Sequence, residues 1–203
     1  MFRIYGIRAA DGGGAMRIDC EVGEKKESFT ILTSDFRARD ISRGEHDDDM
    51  YELLCELAAV CRGVRIGRRI LSYGANSAGA LHGKLIGKGI SPDAAERAIA
   101  IIFSESGIDE SRDALRLCEL QLAKNVGARR IITYLQSRGY SNEALEPVRE
   151  YLCGIDFSEI CRREIEKKWG KLPSQGEEKQ KCVAYLLRRG FTYSDIRAAT
   201  KND

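Results

Sequence analysis

The amino-acid sequence predicts a mainly α-helical protein, built from three tandem three-helix repeats and preceded by a small N-terminal β-hairpin extension. Two observations carry this fold class. Strand-like alternation of apolar and polar residues is confined to about the first 45 residues, and one helix-ending pattern then occurs three times. We place the extension at residues 1–46 and the repeats at 47–108, 109–155 and 156–203. Because a unit of this size buries little core alone, we expect the repeats to stack into an elongated, curved array.

The extension is predicted from a period of two residues. Apolar side chains occupy alternate positions in one stretch, namely Met16, Ile18, Cys20 and Val22. Residues 23–26 then read as a turn leading to a second strand with Phe29 and Ile31. Phe2 and Ile4 show the same alternation and could supply a third strand. From about Asp47 onward the apolar period changes to that of an amphipathic helix.

The repeats are predicted from three segments that align without gaps, at residues 81–91, 131–141 and 182–192. Each has an apolar residue eight positions before a glycine, a leucine four before it, a cation directly before it and Ser or Thr two after it. These terminal glycines are Gly89, Gly139 and Gly190. The cation complements the negative end of the helix dipole, and glycine accepts the left-handed conformation that stops a helix. The hydroxyl residue can then cap the next helix, so each segment marks one helix ending and another beginning.

Composition narrows the class of protein. The net charge is only +2, but residues 1–56 carry 8 basic and 13 acidic side chains whereas residues 57–203 carry 25 and 18. The basic C-terminal body can therefore face a polyanion. The seven cysteines contain no CxxC pair and are interpreted as buried, reduced thiols. With neither a membrane span nor a signal peptide in view, we expect a cytoplasmic protein.

Several motifs suggest chemistry, and each has a simpler interpretation. Residues 83–89 are rich in glycine and lysine, but no Ser or Thr follows Lys88 and no strand precedes, so a helix end is favoured over a phosphate loop. Residues 47–49 are three aspartates suited to starting a helix. His46 and His82 are lone histidines, and Trp169 continues an apolar helical stripe, which favours core packing over base stacking. We therefore predict a non-enzymatic protein with no catalytic residues, metal or cofactor.

The sequence resembles the RecX family of RecA regulators over about residues 50–200. The match is sharpest at 126–132, continuing to Leu135 and Arg138-Gly139-Tyr140, and at 181–191, which ends in YLLRRGF. The chain departs from the family pattern at 71–77, which lacks the usual arginine, and at 108–115, where the usual aspartate pair and aromatic are replaced. The resemblance implies a protein that lies in the groove of a RecA–DNA filament, contacts RecA and possibly single- or double-stranded DNA, and usually dampens recombinase activity in DNA repair, recombination and the SOS response. We expect a monomer, although the sequence leaves the oligomeric state open.

Basic clusters are the candidate binding residues for RecA or DNA. They are Arg62, Arg65, Arg68, Arg69, Lys88, Arg129, Arg130, Arg138, Lys167, Lys168, Lys171, Arg188 and Arg189. Such clusters usually form solvated helix faces, and Glu159, Glu164 and Glu166 dilute the third one. Stacked repeats could nevertheless align equivalent cations into a row that follows a polyanion. A stand-alone helical DNA-binding module and a helical-repeat interaction scaffold remain the alternatives.

Overall fold

The computed structural model describes residues 2–171, 173 and 175–201. It divides into two compact units. The first contains residues up to 76 together with 80–108, and the second contains residues 77–79 together with those from 109 onward. The first unit therefore combines the N-terminal strands with the helices of the first predicted repeat. The second unit holds the helices of the second and third repeats.

The strands form one antiparallel sheet in the order β3-β2-β1-β4. They are β1 (Phe2–Ala10), β2 (Ala15–Val22), β3 (Lys25–Leu32) and β4 (Gly44–His46), with a short 3-10 turn at Asp11–Gly13 and helix α1 at Thr33–Arg37. The predicted hairpin and third strand are confirmed, with Ile4 opposite Cys20 and Ile18 opposite Phe29. The sequence did not indicate β4, which pairs only with the first three residues of β1.

The sheet and the first long helix share one hydrophobic core. Helix α2 spans Asp48–Leu71 and places Leu54 and Leu57, both fully buried, against the sheet. The sheet contributes the side chains of Phe2, Ile4, Ile18, Cys20 and Ile31 to the same cluster. This shared burial joins the strand segment to the first repeat, because the apolar face of a sheet is stabilised only when another element covers it.

Nine helices of the described chain form three successive sets of three, as the repeats predict. The first set is α2, α3 (Ala78–Ile86) and α4 (Pro92–Ser106). The second is α5 (Glu110–Leu122), α6 (Ala128–Ser137) and α7 (Asn142–Cys153), and the third is α8 (Phe157–Trp169), α9 (Gly176–Arg188) and α10 (Tyr193–Ala199). The second and third sets share one core, in which Leu135, Leu145, Cys161 and Leu186 are fully buried.

The three terminal glycines adopt the left-handed conformation that the sequence predicts. Their φ angles are +76° at Gly89, +83° at Gly139 and +91° at Gly190. Around each, the following residue donates its N–H to the leucine carbonyl and the glycine N–H bonds a carbonyl three residues back, which together form a Schellman motif. The side chains of Ser141 and Thr192 cap the next helix as expected, whereas that of Ser91 makes no capping hydrogen bond.

Five of the seven cysteines are buried, so the prediction for them is correct, but Cys55 and Cys153 are exposed. Burial raises the pKa of the Cys161 thiol to about 12 and that of Cys118 to about 11, which keeps both protonated at neutral pH. Trp169 packs against the core of the second unit, in agreement with its apolar spacing. None of the helices in the described part of the chain is long and apolar enough to cross a membrane.

Candidate partner and nucleic-acid interface

The start of α6 is bonded directly to the end of α9 by backbone atoms. The Gly127 N–H donates to the Arg189 carbonyl over 3.0 Å, and the Arg129 N–H donates to the Gly190 carbonyl over 3.3 Å. The Arg130 Nη1 adds a bond to the Arg188 carbonyl at 3.0 Å. The free N–H groups of one helix start thus satisfy the free carbonyls of another helix end, and the two dipoles attract.

Gly127 makes this close approach possible. A Cβ atom at position 127 would lie 2.3 Å from the carbonyl carbon of Gly190, a distance that side-chain carbons do not tolerate. The Gly127 φ of −73° is one that any residue can adopt. Position 127 therefore requires glycine because the backbone of Gly190 lies so close, and not because of its own conformation. We call this contact between the second and third repeats the repeat junction.

The same bonding occurs within the second unit at residues 77–79. The Gly79 N–H donates to the Gly139 carbonyl over 3.2 Å, and the Ser77 hydroxyl donates to the Arg138 carbonyl over 2.6 Å. Gly79 and Arg129 each stand ten residues before their own terminal glycine. The carbonyls of Arg138 and Arg189 therefore have equivalent structural roles, which the repeat pattern could not reveal.

The candidate cations divide between the units. The first unit holds Arg62, Arg65, Arg68, Arg69 and Lys88, all of them exposed. The Arg62 Nη2 donates to the Gly89 carbonyl at 3.1 Å, and Arg68 pairs with Glu105. These two guanidinium groups thus also stabilise the packing of α2 on its neighbours. The aspartate cluster before them behaves as predicted, because the Asp47 side chain accepts the Met50 N–H and caps α2.

The second unit holds the other eight candidates. Seven are exposed, namely Arg129, Arg130, Arg138, Lys167, Lys168, Lys171 and Arg188. Arg189 differs, since its side chain is about a quarter exposed, donates to the carbonyls of Lys124 and Asn125, and lies 3.4 Å from a carboxylate oxygen of Glu164. Among the three cations before the terminal glycines, Arg189 is thus a junction residue, whereas Lys88 and Arg138 remain exposed.

Glu164 is the residue that sequence reasoning placed wrongly. It was expected to dilute the basic cluster of α8 at the surface, but it is only 4% exposed. Its Oε1 accepts the Tyr185 hydroxyl at 2.6 Å. The signal was present in the sequence, because Glu164 lies three and four residues after Cys161 and Ile160, on the buried stripe of the helix. Tyr185, which bonds Glu164, and Lys124, which lines the same cavity, lie on other elements, so no local pattern in the sequence indicated their roles.

Known proteins are similar to this chain in sequence and in fold. A family model described as RecX, third three-helix domain, matches residues 156–200. The regulatory protein RecX of Salmonella arizonae is 34% identical over 113 residues, which cover 55% of this chain and 67% of the relative. The regulatory protein RecX of Salmonella paratyphi A is 36% identical over 109 residues, which cover 53% of this chain and 64% of that relative.

Solved structures agree in fold. A crystal structure of regulatory protein RecX superposes with a TM-score of 0.69 over the full length of both chains, at 17% identity. RecX from Lactobacillus salivarius superposes with a TM-score of 0.58, covering 71% of this chain and 96% of that one, at 18% identity. At such identities the structures support the fold, and the closer sequence relatives identify the family. This chain belongs to the RecX family of regulatory proteins.

Proposed function

We propose that this chain binds the RecA–DNA filament and inhibits its recombinase activity in DNA repair, recombination and the SOS response. It acts in the cytoplasm as a monomer, by occupying the filament and not by a reaction of its own. The observation that supports the proposal is that 12 of the 13 candidate cations are exposed, on a chain of the RecX family. Exposed cations on successive repeats suit a long, regular polyanion.

The exposure of a cation decides how much it can contribute to nucleic-acid binding. Each phosphate neutralised by Lys or Arg releases bound counterions, so affinity falls steeply as salt concentration rises. A cation whose side chain already bonds other groups of the protein cannot contribute its full charge to phosphate binding. Arg189 is such a residue, whereas the side chains of Arg129 and Arg188, at the same junction, remain exposed. The proposal assigns the charge that contacts the filament to three exposed cations of the second unit, namely Arg129, Arg188 and Lys171.

The decisive experiment is co-sedimentation of the full chain with its cognate RecA, with and without single-stranded DNA and nucleotide, together with the DNA-dependent ATPase rate of RecA. We expect co-sedimentation with the assembled filament and a lower ATPase rate. Equal binding to DNA without RecA would replace the proposal with a stand-alone DNA-binding module. Indifference to both RecA and DNA would leave an interaction scaffold.

A variant with Arg129→Gln, Arg188→Gln and Lys171→Gln tests the docking charge. It should bind the filament more weakly, and the slope of log affinity against log salt should become shallower by up to about 2 to 3, since each phosphate contact contributes roughly 0.7–0.9. The matched control is Lys25→Gln, Lys26→Gln and Arg43→Gln, which removes three exposed cations from the acidic N-terminal segment. Equal affinity and slope in both triple variants would place the binding surface elsewhere.

A further inference from the structure

Four cations and one carboxylate line a cavity of about 490 Å³ in the second unit, beside the repeat junction. We call it the junction cavity. Its wall consists of Ala123, Lys124, Glu164, Lys167, Lys168, Tyr185 and Arg189. These residues come from three places in the chain: the end of α5, the last two turns of α8, and the end of α9. Folding therefore gathers positive charge that is scattered in the sequence.

The single carboxylate is already used by the protein. Glu164 lies in the wall with its Oε1 bonded to the Tyr185 hydroxyl and 3.4 Å from the Arg189 Nε. Within the described part of the chain, no ion pair joins Lys124, Lys167 or Lys168 to an acidic side chain. The negative charge in the wall thus offsets the arginine and leaves three lysines uncompensated.

The Lys168 ammonium is held in place by the packing around it, and the backbone that carries Lys124 is fixed as well. The Lys168 Nζ lies 3.3 Å from the ring centroid of Tyr185 and 4.8 Å from that of Trp169, which is a cation–π arrangement. Arg189 donates to the carbonyls of Lys124 and Asn125, the latter at 3.0 Å, and so fixes the loop that carries Lys124. A cationic group held by its surroundings loses less conformational freedom when an anion arrives.

The helix dipoles offer a simpler explanation of why cations gather in the cavity wall, because each of these cations lies near the end of a helix. That account is insufficient in magnitude. The end of α9 is already bonded to the start of α6, and the ends of α5 and α8 carry about −0.5 each, so with Glu164 they offset about 2 of the four positive charges and leave the cavity at about +2. Lysine ammonium groups from two elements of a cavity wall suit phosphate, which combines negative charge with several acceptor oxygens.

We propose that the junction cavity binds one phosphate group, supplied by a nucleic-acid strand or by a free phosphate compound. Lys124, Lys167 and Lys168 hold the phosphate oxygens, while Arg189 and Glu164 are positioning residues that fix the loop and the Tyr185 ring. The inference extends the proposed function but does not require RecA, and it is tested without RecA. Failure of filament binding and failure of phosphate binding are therefore separate results.

Trp169 is the only tryptophan of the chain, and its ring lies 5.2 Å from that of Tyr185 and close to Lys168, so its fluorescence reports on the cavity. The full-length protein is titrated with inorganic phosphate and, separately, with a short oligothymidylate lacking terminal phosphates. Potassium chloride at the same ionic strength is the blank. We expect a saturable change in Trp169 emission that chloride does not produce.

The test variant is Lys124→Gln with Lys167→Gln, which leaves the Lys168 reporter contact intact. Its apparent affinity should fall by at least about tenfold, since charge-assisted hydrogen bonds are lost. The matched control, Lys25→Gln with Lys26→Gln, should titrate as wild type. All four positions are exposed, and thermal melts verify that both variants remain folded.

The two titrants separate the sources of the phosphate group. Saturation by oligothymidylate at lower concentration, with competition by inorganic phosphate, identifies a strand phosphodiester. Saturation by inorganic phosphate alone identifies a free phosphate compound. The proposal is overturned if neither titrant changes Trp169 emission beyond the chloride blank, or if the Lys124→Gln, Lys167→Gln variant titrates like wild type.

Discussion

Each unit encloses one buried carboxylate among the residues described, and the two differ in how completely they are hydrogen-bonded. In the first unit Asp19 is 7% exposed, and both of its oxygens have partners. Its Oδ1 accepts from the Ser28 hydroxyl at 2.6 Å and the Arg17 Nε at 2.9 Å, and its Oδ2 lies 3.0 Å from the Arg8 Nη2. These bonds, first that from Ser28 and then that from Arg17, lower the pKa of Asp19.

Glu164 in the second unit is as deeply buried but is only half satisfied. Its Oε1 has Tyr185 and Arg189 beside it, while its Oε2 is buried without a hydrogen-bond partner among the described residues. A buried polar atom without a partner costs about 1–3 kcal/mol. Asp19 thus has a hydrogen-bond partner for each oxygen within the sheet, whereas Glu164 lies beside a cationic cavity with one oxygen unpartnered. The comparison teaches that burial of a charge alone does not indicate its role.

The largest effect is expected at the repeat junction, where the second and third repeats are in direct backbone contact. Gly127→Ala should lower the free energy of unfolding by about 3 kcal/mol, because the new Cβ overlaps the backbone of Gly190 and must separate the two helix ends. Urea denaturation followed by Trp169 fluorescence measures this loss in the second unit.

Gly83→Ala is the matched control in the first unit. Gly83 lies inside α3 with no atom within 4 Å of its added Cβ, so the change should stabilise the helix by about 0.5–1 kcal/mol. If Gly127→Ala were as harmless as Gly83→Ala, the close approach at the junction would not be required for folding.

The comparison of the carboxylates is sharpened by two isosteric changes. Asp19→Asn should cost about 2 kcal/mol, since it weakens three charged or polar bonds whose arginine partners are partly exposed. Glu164→Gln should cost less than about 1 kcal/mol, because the glutamine amide oxygen can still accept the Tyr185 hydroxyl and Oε2 has no hydrogen bond to lose. Amide hydrogen exchange in β2 and in α8 reads out the two sites separately. The reverse order of costs would contradict our interpretation of Glu164.

Local sequence predicted most features that a short segment determines, although the expected cap by Ser91 does not form. The Schellman ends at Gly89 and Gly139 follow from a leucine, a cation and a glycine at fixed spacing, and the β2–β3 hairpin follows from alternation. The strand β4 escaped prediction, because three residues show no period and pair only with a distant edge. Contacts between residues far apart in the sequence were not predicted either, because no local pattern indicates them.

The candidate site was predictable as a set of cations but not as an arrangement. Exposure of Arg129 and Arg188 follows from helical periodicity. The junction cavity does not, because Lys124 and Lys167 are 43 residues apart and line the same cavity only through the tertiary fold. The role of Arg189 was not predictable either. Its sequence pattern matches that of Lys88 and Arg138, although its side chain bonds a carbonyl of the protein.

The smallest expected effect concerns pH and again compares the units, since each contains a tyrosine that donates to a glutamate. The Tyr51 hydroxyl donates to the Glu27 Oε2 at 2.8 Å, as Tyr185 does to Glu164. The bond to Glu27 raises the pKa of Tyr51 from its ordinary 10.0 to about 12. In the same way, the bond to Glu164 raises the pKa of Tyr185. A proton held more tightly in the folded state stabilises it fully below about pH 10, and this contribution is lost as pH rises toward about 12.

Melting temperatures between pH 8 and 12 test this dependence. Wild type should lose stability above about pH 9, because burial raises the pKa of the Cys118 and Cys161 thiols from 9.0, and Tyr51→Phe should show a shallower decline above about pH 10 because its ring has no proton to lose. The difference is expected to be small, since Tyr51 is only partly buried and solvent weakens the bond. Tyr185→Phe is the companion variant, and it should flatten the decline seen by Trp169 fluorescence in the second unit. If Tyr51→Phe and wild type declined in parallel, the alkaline loss would come from other groups, such as the buried thiol of Cys118, whose pKa burial raises to about 11.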